Sequence, residues 1–367
     1  MVFASVSRPR HLAQAAFLAA ALLTGCHRQQ TPVETETLPA EATPSTAPGT
    51  DSPTAKTGVP KPAAAKPPSP TPFKMPPLAA GPAELWKEFS GAKAFEEVRR
   101  QVELGPRPAG SPELEKARAF IEGSLKKSGW EVRRQTFTDE TPRGPVTFTN
   151  LIGRFIPPGL KTAPTHTQRA IVCSHYDTKR FSTIRFVGAS DGASSTGALV
   201  ELARVLALAP VLAVQVELAF FDGEEAIVQF TAPTDEKPDG LYGSRHYARD
   251  LRDSGRARQF KFGILWDMIG DKDFGITLPP DSPPELTREI LAAADALRLR
   301  EKFRYLDRDI LDDHTPLNTI AKIPTIDLID FDYLYWHTAD DTLERLGPEG
   351  LQQTGAVTLY QLRQALK

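Results

Sequence analysis

The chain has only 2 cysteines in 367 residues, Cys26 and Cys173. That is too few for a disulfide scaffold, so the folded part must be held by its core. It also lacks an excess of either charge. Lys and Arg total 44 against 46 Asp and Glu, and the formal net charge is -2. The charges are interspersed, as on an ordinary soluble surface, and no basic face is visible, which excludes nucleic acid as a partner. Apolar runs long enough to span a bilayer are missing as well, because the segment Leu12–Leu23 is too short for a stable anchor. No internal repeat is apparent.

What is present begins at the N-terminus. Arg8, Arg10 and His11 precede Leu12–Leu23, which is followed by small residues, the layout of a secretory signal. Leu23-Thr24-Gly25-Cys26 resembles a bacterial lipobox. That resemblance implies a lipoprotein signal peptide over 1–25, cleavage before Cys26 and a lipid on its thiol. Cys173 then has no partner and reads as a buried free thiol in Ala170-Ile171-Val172-Cys173. His27 rather than Asp follows the cysteine, which by resemblance to Gram-negative sorting points to the outer membrane. The expected location is the bacterial cell envelope, lipid-anchored and facing the periplasm. Residues 26–82 are rich in Pro, Thr and Ala with few large apolar residues, a composition that cannot offset its ordering entropy. They read as a disordered tether. The remainder, 83–367, is long enough for one large α/β domain.

Within it, helical spacing runs over Ala83–Glu103 and ends at the breakers Gly105-Pro106-Arg107-Pro108. Ser111-Pro112 caps and opens a second helix that runs to about Ser128. Strand patterns cover Trp130–Phe137, Val146–Ile156, Arg169–Ser174, Val214–Phe221, Lys261–Met268 and Thr325–Ile329. Helices are expected over Ser195–Leu208, Ser244–Leu251, Pro284–Leu297 and Leu351–Leu366. This alternation predicts a three-layer α/β/α fold around a mostly parallel, mixed sheet, with the early strand pair as an antiparallel edge.

Carboxylates and histidines collect where predicted strands end. Phe221-Asp222-Gly223-Glu224-Glu225 follows an apolar run, His175 and Asp177 follow another, and Asp191 stands before a helix. Asp267 sits in Leu265-Trp266-Asp267-Met268, and His337 follows Trp336. Each has an ordinary reading: a solvated turn, a buried imidazole, a helix cap at Asp191, an ion pair at Asp267. Together they are harder to dismiss, because several carboxylates buried in one crevice need a cation or shared protons. His, Asp and Glu are the ligand types of hydrolytic zinc sites.

The ordered set His175-x-Asp177, Asp191-Gly192, Glu224-Glu225, Asp267 and His337 resembles the M28 family of zinc aminopeptidases, which includes the glutaminyl cyclases. Leu311-Asp312-Asp313-His314 resembles the Asp-Asp-His motif of the cyclase branch; aminopeptidases more often have Ser where Asp312 stands. The long stretch between Glu225 and Gly243 and the wording Leu241-Tyr242-Gly243-Ser244-Arg245-His246 lean the same way. One departure is Phe230, which stands where animal-type cyclases carry a Trp and lacks an indole donor.

The resemblance implies one Zn2+ on Asp191, Glu225 and His337, with Glu224 as acid/base. It also implies an Asp312–Asp267 hydrogen bond that steadies the reacting amide, and a substrate pocket flanked by Phe230 and Trp336. The substrates implied are peptide or protein N-termini beginning with glutamine. In the alternative, a dinuclear aminopeptidase, His175 and Asp267 join Asp191 on a second zinc. His314 reads as structural, ordering the Asp312 loop. A non-catalytic envelope binding protein on the same fold is the third possibility.

Overall fold

A long hairpin forms one flank of the molecule. Trp130–Thr141 (β1) and Gly144–Phe155 (β2) pair antiparallel over their whole length. Alternating polar and apolar residues hold this register, and a one-residue slip would turn the buried Phe148 out to solvent. The computed structural model describes residues 75–231 and 238–367. The predicted signal peptide, Cys26 and most of the expected tether lie outside them.

β2 joins a sheet with β3 (Ala170–His175), β4 (Val216–Phe221), β5 (Phe262–Asp267), β6 (Ile276–Leu278), β7 (Phe303–Tyr305) and β8 (Thr325–Ile329). The strand order is β1-β2-β4-β3-β5-β8-β6-β7. The central pairs β4–β3, β3–β5 and β5–β8 are parallel, and β2–β4 and β6–β8 are antiparallel. The sheet is mixed, as expected. β6 and β7 are absent from the sequence reading, because strands of 3 residues are too short to show alternation.

The helices are α1 (Gly91–Val102), α2 (Pro112–Lys127), α3 (Ser195–Leu206), α4 (Pro210–Ala213), α5 (Tyr242–Asp253), α6 (Pro284–Ala296), the single turn α7 (His314–Pro316) and α8 (Pro348–Ala365). Period-2 alternation divides the core between two faces. Ala170 and Val172 of β3 face the cluster that includes α1, α2, α3, α6 and α8. Ile171 and Cys173 face the cluster around Tyr247, Ala248 and Leu251 of α5. The result is three layers, with Cys173 buried as a free thiol. Among the described residues, no helix is long and apolar enough to cross a membrane.

Two boundaries differ from the sequence reading. The helix expected from Ala83 is interrupted: Leu85–Glu88 is a short 3-10 turn, Phe89 is extended, and Ser90 caps α1 by accepting the Lys93 N–H. A capping serine ends one helical run and starts the next, so apolar spacing alone merged them. The body also starts before Ala83. Met75 and Leu78 pack against the core, and the Val211 N–H donates to the Ala79 carbonyl at 3.1 Å.

Candidate active site

The parallel strands end together, and their C-terminal ends carry the site. His175 is the last residue of β3 and Asp267 the last of β5, while Glu224 and Glu225 follow β4. Asp191 lies in the irregular turn Ala189–Ser194 ahead of α3, and His337 lies beyond β8. Asp191 does not cap α3. Its backbone leaves the helical region (φ -76, ψ 103), and Gly192 follows at φ 83. A Cβ on Gly192 would lie 2.6 Å from the Asp177 carbonyl and 3.0 Å from the His175 ring. Only glycine lets this turn press on β3 and aim the Asp191 carboxylate into the crevice.

That carboxylate bridges two imidazoles. Asp191 Oδ1 is 3.2 Å from His175 Nε2, and Oδ2 is 3.4 Å from His337 Nε2. His337 Nε2 is also 3.0 Å from Glu225 Oε1, and His175 Nε2 is 3.3 Å from Asp267 Oδ1. Two donor sets result, Asp191–Glu225–His337 and His175–Asp191–Asp267, each with its ligand atoms within 4.8 Å of one another. The first suits a cation by its chemistry: two carboxylates and one imidazole, with Glu225 Oε2 buried and accepting no hydrogen bond. His337 holds a left-handed backbone (φ 56), a strained conformation of the kind that collects at functional sites.

The charge balance is that of a crowded acidic site. Burial alone would lower the His337 pKa, but Asp191 and Glu225 raise it to about 10. Burial likewise opposes charge on His175, yet Asp177, Asp191 and Asp267 raise it well above the usual imidazole range. Without a metal, protons on these rings balance the carboxylates. Burial pushes Glu224 well above the ordinary carboxylate range, and the neighbouring Glu225, Asp312 and Asp313 add to it while His175 opposes it. Burial raises Asp267 to about 7, with Asp312 and Asp191 reinforcing it against His175.

Supporting residues fix these groups. Asp177 accepts the N–H groups of Glu224 (3.2 Å) and Glu225 (3.3 Å), one on each of its carboxylate oxygens, which fixes the backbone that carries the two glutamates. Arg118 donates to Asp222 at 2.6 Å and anchors the same turn from below. Asp341 accepts the N–H groups of Ser190 (2.7 Å) and Asp191 (3.2 Å) and the Tyr333 hydroxyl (2.8 Å). Lys179 Nζ lies 3.7 Å from Glu225 Oε2.

A cleft of about 260 Å³ opens on this cluster, lined by Glu224, Asp267, Asp312, Phe230, Phe331 and Trp336 among others. The Trp336 ring stacks on His337 at 4.4 Å. The structure thus brings every residue of the sequence-derived set to one place, with one arrangement changed. The expected Asp312–Asp267 hydrogen bond is not made. Asp312 is near enough to raise the Asp267 pKa, and its carboxyl lies beside that of Asp327, with one oxygen of each within 4.8 Å of the other. Asp327 sits mid-strand on β8, fully buried. Burial raises its pKa well above the ordinary carboxylate range, and the neighbouring carboxylates Asp312 and Asp267 add to the shift. His314 lies behind them, its Nδ1 3.4 Å from Asp327 and its Nε2 3.1 Å from Asp281. Sequence reasoning missed Asp327, Asp341 and Lys179. A lone Asp in the apolar strand Thr325-Ile326-Asp327-Leu328-Ile329 was the available signal for the first; nothing local marked the other two.

Comparison with known proteins gives the same picture. The model of Peptidase family M28 matches residues 156–362. The structure is similar to the crystal structure of an Acidobacteriales bacterium glutaminyl cyclase, at 33% identity, covering 80% of this chain and 98% of that one, with a TM-score of 0.66. It is also similar to a Zn-dependent exopeptidase from Parabacteroides distasonis, at 25% identity, covering 74% and 97% of the two chains, with a TM-score of 0.64. A curated glutaminyl-peptide cyclotransferase of Drosophila melanogaster is 27% identical over 300 residues, 73% of this chain and 81% of that protein.

Proposed function

The chain belongs to peptidase family M28, and we propose that its site converts the N-terminal glutamine of peptides or proteins to pyroglutamate with release of ammonia. The observation that carries this reading is the position of Asp312, which lines the same cleft as Asp267, Glu224 and the Asp191–Glu225–His337 set. The similarity to glutaminyl cyclases supports it.

Asp191, Glu225 and His337 would hold one Zn2+ per chain. Bound there, the ion supplies Lewis acidity to the side-chain carbonyl of the glutamine. Glu224 takes a proton from the α-amine as its nitrogen bonds to the side-chain carbonyl carbon. It then gives that proton to the departing amide nitrogen as the carbon–nitrogen bond breaks, and ammonia leaves. No water is consumed. A base with a raised pKa suits a group that must both take and return a proton. Asp267 and Asp312 steady the amide nitrogen. Phe230 and Trp336 flank the aliphatic part of the substrate and keep water out. Tethering of amine and carbonyl in one residue makes the ring closure effectively unimolecular.

The second reading, a dinuclear aminopeptidase, draws on the additional donor set His175–Asp191–Asp267. A side-by-side assay separates the two. The cyclase reading expects ammonia release from glutaminyl peptides and little hydrolysis of aminoacyl arylamides; strong arylamidase activity without cyclisation would overturn it. The same proposal places the enzyme in the bacterial envelope, held to the membrane by lipid on Cys26 and facing the periplasm.

A further inference from the structure

The segment 226–231 carries Phe230 to the cleft with no helix or strand to hold it. One side chain makes most of the hydrogen bonds that hold it. Asp239 is 2% exposed, and its carboxylate accepts the N–H groups of Ile227 (2.8 Å), Val228 (2.8 Å) and Gln229 (2.9 Å). It also accepts the Tyr242 hydroxyl at 2.8 Å. The backbone closes the arrangement from both sides: the Asp239 N–H donates to Thr231 Oγ1 at 2.8 Å, and the Thr231 N–H donates to the Asp239 carbonyl at 3.2 Å. Tyr242 is itself fixed, stacked on Phe148 at 4.6 Å.

The next residue in each strand of this clamp meets the other. A Cβ on Gly240 would lie 2.5 Å from Phe230 Cδ1, so the ring lies directly on the Gly240 backbone. Lys179 Nζ lies 5.3 Å from the centre of the same ring and donates to the Ala226 carbonyl at 2.6 Å. Phe230 is therefore held by its backbone through Asp239, by Gly240 against its ring, and by Lys179.

We propose that Asp239 is a positioning residue for substrate selection: it wraps 227–229 around its carboxylate and so presents Phe230 as a fixed apolar wall against the substrate's aliphatic chain. This rests on the cyclase reading of the site. Asp239 touches none of the reacting groups, so its influence falls on substrate binding and passes through Phe230. A carboxylate suits the task because its two oxygens can accept from four donors at once, whereas an amide of the same shape turns one donor against another.

The test is Asp239→Asn, alone and in a Phe230→Ala background. In the single variant, KM for a glutaminyl peptide should rise about 10-fold with kcat within about 3-fold, the pattern of lost ground-state binding. The Ile227, Val228 and Gln229 amides should exchange with deuterium at least about 10-fold faster while exchange in the central strands is unchanged. In the Phe230→Ala background the same substitution should leave KM where Phe230→Ala alone puts it, because the two residues act in series. An equal rise in both backgrounds, or unchanged exchange at 227–229, would overturn the proposal. Should Asp239→Asn not fold, Gly240→Ala presses on the ring while keeping the carboxylate; it should raise KM only when Phe230 is present, and a rise without Phe230 would overturn the proposal. If the wild type forms no pyroglutamate, the reaction assignment falls, and exchange in Asp239→Asn still decides whether Asp239 holds the segment.

Discussion

Asp327 stands beside Asp312, with one carboxyl oxygen of each within 4.8 Å of the other. Both are buried, and the pair stands behind the cleft wall. Asn at position 327 offers an N–H donor towards Asp312, as a protonated Asp327 would, whereas Ala offers none. Asp327→Asn should therefore keep cyclisation within about 3-fold of wild type, and Asp327→Ala should lower kcat/KM by about 10-fold, the scale of one lost buried hydrogen bond. Equal losses in the two variants would show that Asp327 does not act as a donor.

The same pair makes a stability prediction with a definite sign. Burial and the neighbouring carboxylates raise the Asp327 pKa well above its ordinary value. Between the unfolded and folded pKa values the native state binds more protons than the unfolded chain, so stability falls as pH rises. The contribution is complete below about pH 4, the unfolded range, and is lost as pH climbs through the folded pKa. Asp327→Asn cannot ionise. Its melting temperature relative to wild type should rise steadily from pH 4 upward, and a difference that stays flat with pH would contradict the assignment.

Glu224 and Glu225 are adjacent and should separate cleanly by mutation. Glu224→Gln keeps volume and removes the base, and a positioned base is typically worth about 10²–10⁴-fold. Turnover should fall on that scale while bound metal, measured by elemental analysis, stays at the wild-type level. Loss of metal from this variant would mean the two roles are exchanged.

Metal content tests the single-ion reading. About one zinc per chain is expected in protein purified without added metal, with activity lost to a chelator and restored by zinc. Asp312→Ser should lower cyclisation and allow zinc to approach two per chain. A wild type that holds two tightly bound zincs, both needed for activity, would make His175 and Asp267 ligands and favour the aminopeptidase.

Lipid attachment is tested by intact mass. Wild type expressed in a bacterial host should fractionate with membranes and carry acyl chains on Cys26, and Cys26→Ala should do neither. An unacylated Cys26 in the mature protein would remove the anchor.

The fold was legible wherever burial imposed a period. β8 matched its predicted span residue for residue, and α2 was recognisable from Ser111-Pro112, because a cap followed by proline fixes a helix start chemically. The ligand set was legible because strand ends converge, so residues far apart in the chain could be assigned to one crevice. What stayed hidden depends on distance rather than pattern. Asp341 and Lys179 look like surface charges until β8 and β3 bring them beside Asp191 and Glu225. The Asp312–Asp267 hydrogen bond, expected but not made, depends on the same thing: Asp267 and Asp327 sit on adjacent strands, and only their packing decides how Asp312 lies against them.

The Asp341 carboxylate reaches back 151 positions to the Ser190 amide, and the turn it holds carries Asp191. His337 arrives on the same late segment, after β8 has docked in the middle of the sheet. No fragment that ends before His337 contains the Asp191–Glu225–His337 set, so an ion held there is loaded only once this late segment is in place. An ion that binds only the finished structure stabilises all of it together, by an amount set by free ion concentration over affinity. Refolding rates should then be indifferent to zinc while the unfolding rate slows with it, leaving a protein whose lifetime, rather than its speed of formation, depends on the metal supply around it.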